Sequence, residues 1–323
     1  MAIGIGIIGT GKHGARYLHH VADVPAFRLA AICRQDRDAG TRQASEYACR
    51  FHGDAQSLID DPDVEAIITV VPPTLNVGIA TAAARAGKAL LIEKPLAASV
   101  AECRTISEAV ARAGVTAMVA HTLRFNAVVQ ALVAARPTIG DVHAAVLTQR
   151  FEPSALSWLD RRAIAGGGII LHTGVHSFDL VRHLTAREAT RVSAQAWHVV
   201  TRETEDAFAA IVELDGGAMR AMVGGSRATA GRCGAIELTG RDGQLVGDHV
   251  HGTAARLVRT DRDELPVDPP VHTVPAAMQE FAAALSARRP PAITVADGTA
   301  AVAIAEACYE SIRSGHPASV ERP

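Results

Sequence analysis

The stretch Ile3-Gly4-Ile5-Gly6-Ile7-Ile8-Gly9-Thr10-Gly11-Lys12-His13-Gly14 feeds an apolar run directly into a G-x-G-x-x-G turn at Gly9, Gly11 and Gly14. Each glycine answers a separate steric demand. The first permits the sharp turn, the second lets backbone approach a pyrophosphate, and the third lets the following helix pack close to its strand. Ala15-Arg16-Tyr17-Leu18-His19-His20-Val21 reads as that helix, beginning near His13, with its free N–H groups aimed at phosphates. The order strand, glycine turn, helix predicts a dinucleotide site. Gly9, Thr10, Gly11, Lys12, His13 and Gly14 are its first candidate residues.

The position just past the second strand, Arg28-Leu29-Ala30-Ala31-Ile32-Cys33, decides which dinucleotide is favoured. An acidic side chain there would hold a ribose 2′-OH, but the residue is Arg34, and a cation suits a 2′-phosphate. Arg34 therefore tips the expectation from NAD toward NADP. Two alternatives stay open: Arg34 as a solvated loop residue, and Asp36 reaching a ribose across a longer turn.

Beyond the turn, strand and helix signals alternate to about residue 120. Ala66–Val71 and Ala89–Ile92 are short apolar runs of the kind covered on both faces of a parallel sheet. Between them Leu75, Ile79, Ala82, Ala83 and Ala86 keep helical spacing until Gly87 stops the helix. Ser99 with Glu102 three residues on predicts an N-cap, and Val100, Cys103, Ile106 and Val110 form one apolar stripe ahead of a strand at Thr116–Ala120. Right-handed crossovers then give an α/β, doubly wound Rossmann domain over residues 1–121, with its ligand at the carboxyl ends of the strands. Pro72, Asn76, Glu93 and Lys94, at those ends, join the cofactor set.

Residues 122–323 have a different texture. Runs near 142–152, 190–200, 207–214, 218–225, 234–239 and 244–246 are separated by turns such as Asp215-Gly216-Gly217 and Arg241-Asp242-Gly243, without intervening helices. This predicts an α+β domain built on an open-faced, largely antiparallel sheet. Poor alternation in Phe208–Leu214 points to a sheet covered on both faces, by helices on one and a subunit partner on the other. The last helix, about 295–313, carries Ala300, Ala301, Ile304, Ala305, Cys308 and Ile312 inward and is expected to return to the nucleotide domain.

Composition excludes several classes. The 323 residues are 48% hydrophobic and 20% charged with a formal charge of −2, so there is no broad cationic surface for nucleic acid or an anionic membrane. No apolar run reaches the roughly 18 residues of a membrane span. The N-terminal apolar stretch lacks a basic lead and reads as a strand and not a signal peptide. Five cysteines without a C-x-x-C fit a reducing compartment, and the expected location is cytoplasmic.

Three further motifs carry chemistry: Glu93-Lys94-Pro95 at a strand end, His121-Thr122-Leu123-Arg124-Phe125-Asn126 after the next strand, and Gly166-Gly167-Gly168-Ile169-Ile170-Leu171-His172-Thr173-Gly174-Val175-His176. In the last, a glycine loop precedes a helix with His172 and His176 at i, i+4 and so on one face. No glutamate follows the first histidine and no third ligand stands nearby in sequence, so no metal is assigned. His249 and His251 read as surface residues.

Taken together, GIIGTGKHG, EKP, HTLRFN and GGGIILHTGVH resemble the glucose-fructose oxidoreductase, inositol dehydrogenase and rhizopine-catabolism (Gfo/Idh/MocA) oxidoreductases over essentially the whole chain. The resemblance implies an NAD(P)-dependent oxidoreductase moving hydride between a nicotinamide and a secondary alcohol or ketone of a sugar, cyclitol or derivative. It further implies a homodimer or homotetramer formed through the C-terminal sheet, and a cis bond before Pro95. By that likeness Lys94 is the catalytic lysine and His176 ends a D-x-x-x-H signature whose aspartate is here His172. An imidazole in place of a carboxylate would tolerate an anionic substrate group better. Lys94, Arg124, Asn126, His172 and His176 form the expected substrate set. Within the same likeness stand glycosidases that oxidise and re-reduce a sugar, and regulators that bind dinucleotide without turnover.

Overall fold

The computed structural model describes residues 2–322, which divide into two compact units, residues 2–122 with 272–299 and residues 123–271 with 300–322. In the first, the chain runs β1 (Ile3–Ile8), α1 (Gly14–His20), β2 (Phe27–Cys33), α2 (Arg37–Glu46), β3 (Arg50–His52), α3 (Ala55–Ile59), β4 (Ala66–Thr69), α4 (Pro73–Arg85), β5 (Ala89–Glu93), α5 (Val100–Ala113) and β6 (Ala117–Ala120). The six strands are parallel in the order β3-β2-β1-β4-β5-β6, the doubly wound arrangement. The switch point lies beside β1, at the glycine turn. Ile5, Ile7, Ile67, Ile68, Leu90 and Leu91 are fully buried, as strands covered on both faces require.

Local sequence sets the element ends. Ser99 accepts from the Glu102 N–H and the Glu102 carboxylate returns to the Ala98 N–H, a reciprocal cap that starts α5. Gly114 ends that helix at φ 65°. The edge strand β3 escaped the sequence pattern because Arg50-Phe51-His52 is short and mostly polar.

The second unit contains α6 (Ala127–Ala135), β7 (Val142–Arg150), α7 (Arg162–Ala165), α8 (Val175–Thr185), β8 (Ala189–Trp197), β9 (Ala207–Leu214), β10 (Met219–Ser226), β11 (Cys233–Gly240), β12 (Gly243–Asp248), β13 (Thr253–Val258) and β14 (Asp261–Glu264). After α9 (Thr273–Ala287), in the first unit, come α10 (Val295–Ser314) and β15 (Ala318–Ser319). The nine-stranded sheet, ordered β14-β13-β12-β11-β7-β10-β9-β8-β15, is antiparallel except for the β10–β7 pair. Helices α6 and α8 cover one face. The other presents Trp197, Ile211 and Met222 at 46–54% exposure, so the poor alternation of β9 reflects apolar side chains on an open face.

The last helix is divided between the two units, its start lying in the first. The segment 272–299 contributes α9 and the first turn of α10, where a Cβ on Gly298 would meet Val119 and Leu96, and α10 beyond Thr299 belongs to the second unit. The Ser311 hydroxyl accepts from the Ala194 N–H and the Tyr309 hydroxyl donates to Glu205. Ile312, expected inward, is 37% exposed. An apolar stripe reports that a helix is buried and is silent about which core buries it.

Because Phe281 of α9 is fully buried and meets Phe27 of β2 edge to face at 6.2 Å, Phe281→Ala should destabilise the first unit by about 3–5 kcal/mol in urea denaturation. A loss below about 1 kcal/mol would contradict the placement of α9 in that core.

Candidate cofactor and catalytic site

The surroundings of the three glycines in the turn differ. Gly9 has φ 96°, and a Cβ there would lie 2.2 Å from the Val70 carbonyl oxygen. A Cβ on Gly14 would lie 2.0 Å from the Gly9 oxygen, so the start of α1 rests on the turn itself. A Cβ on Gly11 meets nothing within 4 Å. The middle glycine is therefore not needed for protein packing, and the open space beside it is what a diphosphate lying against backbone requires. These residues fit a dinucleotide, with Gly9, Gly11 and Gly14 shaping the cradle.

Around the cradle, Thr10 is buried and its hydroxyl donates to the Gln43 side chain at 2.8 Å. Arg34 follows β2 and reaches the Thr10 carbonyl at 3.3 Å and the Gln43 side-chain oxygen at 3.1 Å. It is thus held beside the turn and is not a freely solvated loop arginine. Asp36, the alternative ribose partner, is instead the N-cap of α2 and accepts from the Ala39 N–H. Lys12 and His13 are both exposed.

At the end of β5, Glu93 is a buried carboxylate that accepts from the Tyr17 hydroxyl at 2.7 Å and from His13 Nε2 at 2.8 Å. Burial alone would raise its pKa. The hydrogen bond and charge of His13, the charge of Lys94 and the Tyr17 hydroxyl outweigh burial and hold it below the usual carboxylate range. Burial, and then the same anion, push the Tyr17 phenol well up. Glu93 thus ties the strand bearing Lys94 to the glycine turn. The Lys94–Pro95 bond is cis. Asn76, assigned to the cofactor from its position, is buried and donates to the Pro95 carbonyl at 3.2 Å. It supports the turn after Lys94 from below, and Pro72 precedes it as the residue before α4.

In the second unit the triple glycine is a packing device around a carboxylate that the sequence reading passed over. Glu205, 4% exposed, accepts from the Gly168 N–H at 3.0 Å, the Ile170 N–H at 3.2 Å and the Tyr309 hydroxyl at 2.7 Å. A Cβ on Gly168 would lie 2.1 Å from the Glu205 carbonyl oxygen, and one on Gly167 2.3 Å from the Tyr309 hydroxyl. The carboxylate satisfies the first free N–H groups of the segment that carries both histidines. Its only sequence trace was Glu205 within Arg202-Glu203-Thr204-Glu205-Asp206, which looks like a solvated turn.

His172 and His176 do not share a regular α-helical turn, because Ile170–Gly174 is π-helical and α8 begins at Val175. His172 is 9% exposed, its Nε2 donates to the Ala165 carbonyl at 2.9 Å, and Trp158 meets its ring edge to face at 5.6 Å. Those contacts fix the His172 ring and its tautomer. His176 is the more accessible of the two.

Arg124 and Asn126, expected to position substrate, are engaged by the protein. Arg124 makes a two-pronged pair with Asp179 of α8 at 2.8 and 2.6 Å, the carboxylate being 1% exposed. A buried carboxylate needs that cation. Asn126 is the N-cap of α6, accepting from the Val128 N–H, and also donates to the His249 carbonyl. His249, expected at the surface, is packed against Gly234, and burial pushes its pKa down. Among the described residues, no group of three His, Cys, Asp or Glu side chains is arranged to hold a metal ion.

Comparison with known proteins places these features. Residues 3–121 match the model of an oxidoreductase family with an NAD-binding Rossmann fold, and residues 136–320 match that family's C-terminal alpha/beta domain. The chain is 29% identical to the 1,5-anhydro-D-fructose reductase of Ensifer adhaerens, covering 98% of each chain. It is 25% identical to the inositol 2-dehydrogenase of Rhizobium meliloti, covering 99% of this chain and all of the relative. A levoglucosan dehydrogenase solved with NADH and levoglucosan shares the fold at a TM-score of 0.92 and 22% identity, each chain covered in full. The glycine cradle, the strand end bearing Glu93-Lys94-Pro95 and the two-domain match together place the chain in the Gfo/Idh/MocA family of oxidoreductases.

Proposed function

We propose that the chain transfers hydride between a nicotinamide dinucleotide and a CH–OH or ketone carbon of a sugar, cyclitol or derivative, with NADP favoured over NAD. The observation that carries this reading is the half-buried Lys94, set directly after the buried Glu93 that joins β5 to an open glycine cradle. The relatives' named activities, on anhydrofructose, inositol and levoglucosan, supply the substrate class.

When bound, a nicotinamide supplies the hydride acceptor or donor. Gly9, Gly11 and Gly14 admit its diphosphate, and Arg34 offers a cation to a 2′-phosphate. Lys94 donates a hydrogen bond to the reacting oxygen and stabilises charge developing on it. His176, an imidazole suited to neutral pH, takes the hydroxyl proton in oxidation and returns it in reduction. His172, fixed by the Ala165 carbonyl and Trp158, lines the same substrate region. The open apolar face bearing Trp197, Ile211 and Met222 is proposed as the contact of a homodimer or homotetramer. The sequence holds five cysteines and no C-x-x-C, and a reducing, cytoplasmic location is proposed on that basis.

With a panel of polyols and aldoses, absorbance at 340 nm should rise as reduced cofactor accumulates. Release of an aglycone without that rise would instead indicate a glycosidase cycle, and neither signal a regulator. Lys94→Met should lower kcat by about 10²–10³ and His176→Ala by about 10²–10⁴, each with dinucleotide Kd within a few fold. Near-normal kcat in either variant would remove that residue from the chemistry.

Arg34→Asp should weaken NADPH binding and shift preference toward NADH. An unchanged ratio of the two Kd values in fluorescence titration would show that Arg34 does not meet the ribose.

A further inference from the structure

Two cations follow β2, and the fold uses them differently. Arg34 commits guanidinium N–H groups to the Thr10 carbonyl and the Gln43 side chain. Arg37, the first residue of α2, is exposed, and among the described residues no hydrogen bond or ion pair engages its guanidinium. The nearby carboxylates have other partners: Asp36 caps α2 through the Ala39 N–H, and Asp54 caps α3 through the Ser57 N–H.

What the Arg37 guanidinium meets is Gly53, the residue after β3. A Cβ on Gly53 would have as its three nearest atoms Arg37 Nη2 at 2.7 Å, Cζ at 2.8 Å and Nη1 at 3.3 Å. A point in the guanidinium plane, between the two terminal nitrogens, would be far closer to them than to Cζ. The near-equal distances put it above the plane, so the guanidinium lies flat against the Gly53 backbone. Gly53 is not in the left-handed region, so what its missing side chain makes room for is this flat group. The face of the guanidinium turned away from Gly53 is left open.

The order of ligand groups along the sheet bears on what that face meets. On the reading above, the nicotinamide lies toward Lys94 at the end of β5, the diphosphate at the turn after β1 and the adenosine ribose at the end of β2. In the strand order β3-β2-β1-β4-β5-β6, the next position along that line is the end of β3, where Gly53 stands. The group still to be placed is the adenine, a flat π system, and a guanidinium stacks on such systems with its face. Resting on the dinucleotide reading, we infer that Arg37 is the adenine platform of the cofactor site, one face of its guanidinium seated on Gly53 and the other stacked on the base. Arg34 and Arg37 then divide the adenosine half between them. Arg34 serves a 2′-phosphate, and Arg37 serves the base common to both dinucleotides.

The test is fluorescence titration of the intact protein with NADH, which has the base but no 2′-phosphate, at low and at high salt. Arg37→Ala should raise Kd by about two- to fivefold, the size of an exposed cation–π contact. That factor should persist at high salt, because the base is neutral, whereas a plain attraction between Arg37 and the diphosphate would be screened. Gly53→Ala puts a methyl group where the guanidinium lies and should raise Kd in the same range. Beside Arg37→Ala it should add nothing, since there is then no guanidinium to displace. Far-ultraviolet circular dichroism checks the fold of each variant. An unchanged Kd in Arg37→Ala, a difference that disappears at high salt, or a Gly53→Ala effect that is absent alone or undiminished in the double variant would overturn the inference while leaving the cofactor reading intact. Absence of binding by either dinucleotide to the folded wild type would overturn the cofactor reading itself, and the inference with it.

Discussion

The first unit depends on one steric constraint, that backbone at Gly9 and Gly14 must approach other backbone to within the space a single Cβ would fill. Relaxing either contact would lift α1 off β1 and move the strand ends apart. The middle glycine obeys no such demand from the protein. Its open surroundings suit the diphosphate of the proposed cofactor and set Gly11 apart from its neighbours, although all three look alike in sequence.

Buried carboxylates organise what surrounds that constraint. Glu93 joins β5 to the glycine turn through His13 and Tyr17, Glu205 caps the segment bearing His172 and His176, and Asp179 fixes Arg124. Each is nearly inaccessible, and each has its charge met by hydrogen bonds or a cation, the condition under which a buried anion is tolerated. Removing one partner would leave an uncompensated charge inside, so these contacts fix geometry more strongly than surface pairs such as Arg313 with Glu310. Lys94, the candidate catalytic group, inherits its position from one of them.

Much of the first unit was legible in the sequence, because strand, glycine turn and helix follow local rules: apolar runs for β1, β4 and β5, Ser99 for the cap of α5 and Gly87 for the end of α4. The turn-separated runs of the second sheet were also readable, although β13, β14 and β15 carried too little apolar pattern to register. What could not be read were the long-range partners. Asp179 lies 55 positions from Arg124 and Glu205 lies 37 from Gly168, and no local pattern links either pair. For that reason the protein contacts of Arg124, Asn126 and Asn76 were not foreseen. The division of α10 between the two units was equally hidden, since an alanine-rich stripe fits any flat apolar surface.

The most direct test of the account is dinucleotide binding by Gly11→Val, measured beside the wild type together with thermal stability. Because a side chain at position 11 meets no protein atom near its Cβ, the variant should melt within a few degrees of wild type, yet its Kd for NADH and NADPH should rise by at least about a hundredfold, near 2.7 kcal/mol. A stable Gly11→Val protein that binds either dinucleotide as tightly as the wild type would contradict the claim that this cradle is built for one.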